Sequence, residues 1–360
     1  MILTELKIHQ LRNIISAHLE LNSRFNFIFG PNGSGKTSVL EAFYLLSCGH
    51  SFRTREISPI ISYDQPSMTV FARGNNEETI SIQKSYSGVT QVKLNNQFCS
   101  TTSQLAYTLP CQIFYSDLFQ IIDAGPAVRR NLLDWGLFHV KHNYFALWKE
   151  YRRVLKQRNA LLKIRAPFAQ YIPWDKQLNQ LAYQLHLLRE EYFIQWEHEF
   201  VSVLNELSDL KCTLKYYKGW DKKNSGKNLE EILAENFESD KQKLYTQHGA
   251  HQADFSIEVN NNKAKHFISR GQQKIILISL KLAQGNLITE DCLYLIDDLA
   301  SELDEIHQRK IVSHLLTRKG QYVITSTSNS NSLLENLPSN ACSRYQINEG
   351  ILNQVKEAIY

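Results

Sequence analysis

The chain contains no apolar run approaching the ~18 residues of a membrane-crossing helix, so no such helix is expected. Its six cysteines, Cys48, Cys99, Cys111, Cys212, Cys292 and Cys342, are scattered and include no C-x-x-C pair. That spacing argues against a disulfide framework or a zinc site and for reduced thiols. The first ten residues, MILTELKIHQ, lack both a basic head and an apolar core, so no secretory leader is read there. A soluble, cytoplasmic protein is the expectation. A strong excess of one charge is also missing: 40 Lys and Arg against 36 Asp and Glu leave a formal +4. Such a balance permits a polyanionic partner without requiring one, and the distribution of charge has to decide. Internal repeats and low-complexity segments are absent. What remains is ordinary globular composition, 43% hydrophobic and 21% charged over 360 residues, enough for one large or two moderate domains.

The most informative stretch is Gly30 to Thr37, GPNGSGKT, which fits G-x-x-x-x-G-K-[ST] at every fixed position. Arg24 to Phe29 before it reads as a strand entering a core. Ser38 to Leu46 after it has helix-forming composition with no glycine or proline. Strand, glycine-rich turn and helix is the setting in which the pattern has a mechanism. Gly30, Gly33 and Gly35 let the backbone bend around an anion and turn N–H groups toward phosphate oxygens at a helix N-terminus. Pro31, Asn32, Ser34 and Ser38 complete the cradle. Lys36 supplies a mobile positive charge for the β- and γ-phosphates of ATP, and the Thr37 hydroxyl suits Mg²⁺. A chance strand-turn-helix is the competing reading; eight positions with both flanks in place weigh against it.

A nucleotide site of this kind needs a second, acidic strand. Cys292-Leu293-Tyr294-Leu295-Ile296-Asp297-Asp298 is an apolar run ending in two carboxylates. Asp297 is expected to hold the Mg²⁺ shell and Asp298 to orient or deprotonate the attacking water. Between the halves, Ser269-Arg270-Gly271-Gln272-Gln273-Lys274 opens a helical stretch running to Leu287, another N-terminus able to receive an anion. Ser269, Gly271 and Gln272 are its candidate contacts. Ser301-Glu302-Leu303-Asp304 follows as a turn with capping residues. Phosphate loop, S-x-G-Q, Asp-Asp and S-x-L-D occur in the order of an ABC-type ATPase. In such enzymes one protomer's serine-glycine helix caps the γ-phosphate held by the other. Asp297 lies about 260 residues beyond Lys36, more than one compact nucleotide fold needs, so a segment is inserted.

Over nearly its whole length the chain resembles the RecF family of bacterial recombination mediators, soluble relatives of the SMC-type ATPase heads. The resemblance is carried by Leu11-Arg12-Asn13-Ile14, GPNGSGKTSVLEA, Ser51-Phe52-Arg53-Thr54 and Pro126-Ala127-Val128-Arg129-Arg130 with Leu133-Asp134-Trp135. It continues through Leu155-Lys156-Gln157-Arg158-Asn159, ISRGQQK and LIDDLASELD. It implies an α/β fold: an ABC/SMC-type ATPase head, a P-loop NTPase with an antiparallel β meander, plus an inserted, mostly helical arm. The head halves are expected at 1–115 and 251–360 and the insert at 116–250. The resemblance also implies an ATP-dependent homodimer with weak, DNA-stimulated, Mg²⁺-dependent ATPase activity and no membrane partner. That dimer would bind gapped DNA at single-strand/double-strand junctions and act with RecR, and through it RecO, to load RecA. Arg12 is expected to reach the nucleotide, as the arginine does at this place in SMC-type heads. A transporter ATPase subunit, or a structural clamp using ATP only as a dimerisation ligand, are the alternatives.

The chain departs from the family at two places and from ABC transporters at a third. Tyr115-Ser116-Asp117 replaces Pro-Glu-Asp, Gly249-Ala250-His251 replaces Gly-Pro-His, and Thr325-Ser326-Thr327 stands where transporters place a histidine. A γ-phosphate sensor at that last place would have to work through a hydroxyl. His248 and His251 invite a metal reading, but no carboxylate or cysteine completes a set.

Elsewhere, Ile2 to Ile8 alternates as a half-buried strand, and Ser16 to Leu21 is expected to pair with the strand entering the phosphate loop. Met68 to Phe98 reads as an antiparallel meander. Pro126 suits a first helical residue. Tyr144 to Ile164 and Lys176 to Leu207 lack proline and glycine, with Pro167 and Pro173 breaking the chain between them. Leu178, Leu181, Leu185, Leu188 and Tyr192 form an a/d stripe, so the two helices make an antiparallel hairpin of about 30–45 Å. The first of them is basic, with Lys149, Arg152, Arg153, Lys156 and Arg158 interleaved with Trp148 and Tyr151. That suits contact with DNA phosphates, and a solvated helix face is the alternative.

Overall fold

The computed structural model describes residues 1–99, 101–259, 262–264, 267–298, 303–327 and 341–355. Ser301 and Glu302 of the expected S-x-L-D turn, and the side chains of Ser116 and Asp117, lie outside the described residues. Packing divides the chain into two compact units, Met1–Leu118 with Ile288–Tyr360, and Phe119–Leu287.

In the first unit one sheet is antiparallel, in the order β2 (Ile14–Glu20), β1 (Leu3–Leu11), β4 (Ser67–Gly74), β5 (Thr79–Ser85), β6 (Thr90–Leu94) and β7 (Gln97–Phe98). The strict alternation of buried and half-buried residues along β4 shows a sheet with one face on the core. The segment after Asn13 pairs with β1, from Glu5 opposite Glu20 to Leu11 opposite Ile14, not with the strand entering the phosphate loop as expected. The turn at Arg12, with left-handed backbone at φ 52°, folds it back as a hairpin.

The other sheet runs β15 (Ile351–Gln354), β14 (Cys342–Asn348), β3 (Phe25–Phe29), β13 (Gln321–Ser326), β12 (Leu293–Ile296) and β8 (Cys111–Phe114), parallel except for the β15 edge. Strands β3, β8, β12 and β13 are buried at every residue, as parallel strands covered on both faces must be. Buried Asn26 in β3 is satisfied locally, its side chain exchanging hydrogen bonds with the backbone of Asn22. Helix α1 (Lys36–Cys48) shares one apolar cluster with both sheets, including Leu6 and Val70 on one side and Ile28 and Leu295 on the other. Helices α2 (Ser103–Thr108) and α10 (Glu305–Thr317) complete the unit.

The second unit contains α3 (Gln120–Asp123), α4 (Pro126–Val140), α5 (Tyr144–Lys163), α6 (Ile172–Leu207), α7 (Leu229–Glu235), α8 (Phe237–Lys243) and α9 (Arg270–Asn286). A small antiparallel sheet, β11 (Asn262–Lys263), β10 (Asp254–Val259) and β9 (Cys212–Tyr217), lies among them. Helix α6 has 36 residues, about 54 Å at 1.5 Å per residue, longer than expected. Pro173 does not break the chain before it but lies in its first turn, where no N–H is needed. The expected return to the first unit at 251 falls at 288 instead. The physical reason is pairing: β10 bonds along β9, and α9 packs on α6, where the Trp196 indole N–H donates to the Leu280 carbonyl at 2.9 Å.

Candidate functional site

Strand β3 ends at Phe29 and the chain turns through Gly30–Gly35 into α1. At Gly30 a Cβ would stand 2.1 Å from the Ile347 carbonyl oxygen of neighbouring β14, so only glycine fits. Gly35, the N-cap of α1, has φ 115°, a left-handed conformation that glycine adopts without strain, and it offers no side-chain cap. The first N–H groups of a helix have no intrahelical acceptor, so α1 opens with donors available to an anion. The buried Ser34 hydroxyl likewise has no partner among the described residues. This is a donor set that a phosphate fits. Lys36 is 8% exposed, and its ammonium donates to the carbonyls of Gly30 at 2.8 Å and Pro31 at 2.9 Å. Burial pushes the Lys36 pKa down, and the charges of Asp297 and Asp298 offset part of that shift.

Strand β12 delivers the two carboxylates to the same edge of the sheet. The Thr37 hydroxyl lies 3.0 Å from Asp297 Oδ2 and 3.3 Å from Oδ1, joining residues 260 positions apart. Thr325, fully buried at the end of β13 between β3 and β12, donates to Asp297 Oδ1 at 2.7 Å and accepts from the Asp298 N–H at 3.0 Å. Its hydroxyl proton is therefore committed to the Asp297 carboxylate and its oxygen to the Asp298 backbone, so within Thr325-Ser326-Thr327 this hydroxyl is not free to sense a γ-phosphate. Asp298 has left-handed backbone at φ 48°, uncommon for a non-glycine residue and characteristic of functional turns. A hydroxyl beside a carboxylate is an all-oxygen donor pair, the type that hard Mg²⁺ prefers.

Arg12 meets a carboxylate, not open space. Its Nε and Nη2 donate to Glu41 of α1, the latter at 2.8 Å, and Nη1 donates to the Pro59 carbonyl at 3.1 Å. Glu41 is fully buried and also accepts from the Ser51 hydroxyl. Two of the five guanidinium N–H groups have no acceptor among the described residues. Glu41 was visible in the sequence as a charged residue inside an apolar helix, within the motif GPNGSGKTSVLEA, but nothing there pointed to Arg12 as its partner.

In the second unit, Ser269 is the N-cap of α9. Its oxygen accepts from the Gln272 N–H at 3.3 Å, and the Gln272 side chain accepts from the Ser269 N–H at 3.0 Å. This reciprocal box was legible as S-x-x-Q. Ser269 is exposed and Gly271 and Gln272 half-exposed. Arg270 lies over the Phe119 ring at 4.9 Å and pairs with Asp123 at 2.9 Å.

On α5, Lys149, Arg152, Arg153 and Lys156 fall at helical spacing on one face, all exposed. Arg158 does not join them. It is fully buried, bonded to Asp175 at 2.6 Å, Asp240 at 2.7 Å and the Thr246 hydroxyl at 2.9 Å, which removes it from any DNA-contacting set. Trp148 and Tyr151 stack on each other at 5.5 Å, with buried Arg189 over the indole at 5.1 Å; Tyr151 is fully buried and half-buried Trp148 packs on it. His251 is held between Tyr151 and the Thr246 carbonyl, and burial pushes its pKa down to about 4. Among the described residues no helix is long and apolar enough to cross a membrane.

Comparison with known proteins follows the same lines. Residues 2–346 match the family model of the RecF/RecN/SMC N terminal domain. The chain is 39% identical over 336 residues to the DNA replication and repair protein RecF of Cellvibrio japonicus (strain Ueda107), covering 90% of this chain and 91% of that one. It is 37% identical over 361 residues to RecF of Vibrio vulnificus (strain CMCP6), covering 98% and 99%. A solved structure of the recombination mediator protein RecF with ATP, from the RecFOR pathway, superposes with TM-score 0.83 at 26% identity, covering 99% of this chain and 98% of that one. The Smc head domain of Pyrococcus furiosus, bound to the C-terminal domain of ScpA, gives TM-score 0.60 at 15% identity over 98% and 96%, a likeness of fold alone.

Proposed function

The chain belongs to the RecF family of DNA replication and repair proteins, with the fold of an ABC/SMC-type ATPase head, and from that premise we propose that it is an ATP-driven dimerisation switch on DNA. The observation that carries the reading is the meeting of Thr37 with Asp297 at 3.0 Å, which joins the phosphate loop to the acidic strand. ATP would be held by the loop N–H groups, with Lys36 exchanging the Gly30 and Pro31 carbonyls for phosphate oxygens. Mg²⁺, when bound by Thr37 and Asp297, would neutralise phosphate charge. Asp298, turned by its backbone and held through Thr325, would orient or deprotonate the attacking water. Arg12 would offer its two remaining N–H groups to the nucleotide while Glu41 keeps its position.

The missing donors come from a second copy: its Ser269 and the N-terminus of α9 would cap the γ-phosphate. Nucleotide then stabilises the closed dimer by differential binding, and slow hydrolysis reopens it. The exposed stripe Lys149, Arg152, Arg153 and Lys156 would track phosphates of gapped DNA near a single-strand/double-strand junction, without reading sequence. The solved RecF–ATP structure belongs to the RecFOR pathway, which supports RecR, and through it RecO, as partners in loading RecA.

Light scattering of the full chain with Mg²⁺ tests the switch. The expected result is a doubled mass with ATP, enhanced by gapped DNA, and a monomer for Lys36→Ala under the same conditions. Equal masses with and without ATP, or a Lys36→Ala dimer matching wild type, would overturn it.

A further inference from the structure

The turn before β2 sets Asn13 against the outer side of the phosphate loop. Its Nδ2–H donates to the Ser34 carbonyl at 3.0 Å, and its Oδ1 accepts the Ser38 hydroxyl proton at 3.2 Å. A carbonyl can only accept, so the two bonds fix which way the amide faces. They grip the loop on both sides of Lys36. The Ser34 carbonyl receives a second N–H, from Gly350 at 2.8 Å. Gly350 comes this close because it lacks a Cβ, which would stand 2.0 Å from the Asn13 carbonyl oxygen.

A trans peptide carries its C=O and N–H on opposite sides, and no cis bond occurs among the described residues. With the Ser34 oxygen held toward Asn13 and Gly350, the Gly35 N–H is turned away from them. Gly35 would not choose that orientation unaided, because glycine has the widest backbone freedom of any residue. The space beside it is filled by the same side chain: a Cβ on Gly35 would lie 2.9 Å from Asn13 Nδ2. The Ser38 hydroxyl proton is committed to Asn13, so Ser38 meets a phosphate through its backbone N–H.

We propose that Asn13 is a positioning residue of the nucleotide site, acting through Ser34 and Ser38 to hold the phosphate loop in its anion-binding shape before nucleotide arrives. This rests on the reading of Gly30–Thr37 as that site. A loop ordered in advance loses less conformational entropy on binding, so the brace acts on affinity and not on the chemical step.

The test measures binding of a fluorescent ATP analogue to the full chain with Mg²⁺, together with steady-state turnover, for wild type, K36A, N13A, S38A and N13A/S38A. N13A should raise Kd and KM about tenfold while turnover at saturating ATP stays within about twofold. The melting temperature of the nucleotide-free chain should hardly move, which separates positioning from a general loss of structure. S38A should cost less, and the double variant no more than N13A, because Ser38 is coupled to the same side chain. The isosteric N13D keeps the acceptor for Ser38 but removes the donor to Ser34, and must also lose affinity. Wild-type affinity in N13A or N13D beside a strong loss in K36A would overturn this proposal alone, as would a multiplicative double variant. Wild-type affinity in K36A would overturn the site reading and this proposal with it.

Discussion

The two helix N-termini that the proposed sandwich brings to one γ-phosphate are built in opposite ways. Helix α1 begins at Gly35 with no side-chain cap, and its first N–H groups must find an acceptor outside the helix. Helix α9 begins at Ser269 inside a complete capping box. The serine uses an oxygen lone pair to cap Gln272, which leaves its own O–H to donate elsewhere. One terminus is unfinished without a ligand, and the other is finished and holds a donor ready. Binding energy should therefore concentrate at α1, while α9 contributes discrimination between one copy and two.

The same contrast between closed and open donors recurs within α5. Arg158 is sealed among Asp175, Asp240 and Thr246, whereas Arg152 and Lys156, on the exposed face of the same helix, sit in no ion pair among the described residues. Burial raises the Asp175 pKa and the Arg158 charge pulls it back. The largest predicted effect breaks this closed node. Arg158→Ala should cost about 3–5 kcal/mol of stability in urea denaturation, because two buried carboxylates lose their counter-charge. The folded fraction should still bind DNA as wild type. A specific loss of DNA affinity with stability unchanged would return Arg158 to the DNA-contacting set.

That node also marks where sequence reading ends. The phosphate loop, the Asp-Asp strand and the α9 cap are local patterns: each is written in consecutive residues whose backbone demands are known in advance. The meander and the helix starting at Pro126 were legible for the same reason. Arg158, Glu41 and Thr325 were not, because their partners lie on other elements. A basic residue in a basic helix looks the same whether its carboxylates are absent or folded onto it from Asp175 and Asp240. Likewise Thr325 is one polar residue in an apolar strand until β13 is seen between β3 and β12. The boundary at 288 escaped for a similar cause, since β10 belongs wherever β9 pairs with it.

Ser269→Ala sharpens the comparison between the helix ends and should act twice. Loss of the cap should destabilise the nucleotide-free chain by about 1 kcal/mol. Removing the donor should also weaken ATP-dependent dimers without weakening ATP binding to a single copy, which Lys36→Ala should abolish. Differential scanning calorimetry and nucleotide titration at high dilution read the two effects separately. If Ser269→Ala left stability unchanged, the α9 terminus would not be closed on itself and the contrast with α1 would fail.

The smallest effect is expected at the open face of α5, and its size is informative. An exposed lysine facing a phosphate interacts across water and releases about one counterion on contact. Lys156→Ala should therefore weaken binding of gapped DNA only modestly and equally for all sequences, lowering the salt dependence by about one unit of slope. Arg152→Ala should behave the same way, and stability should be unaffected because neither residue is buried. A sequence-selective loss would mean that Arg152 or Lys156 reads base edges as well as phosphates. An unchanged salt slope would mean that DNA passes elsewhere, and that the open cations of α5 are solvated rather than waiting for phosphate.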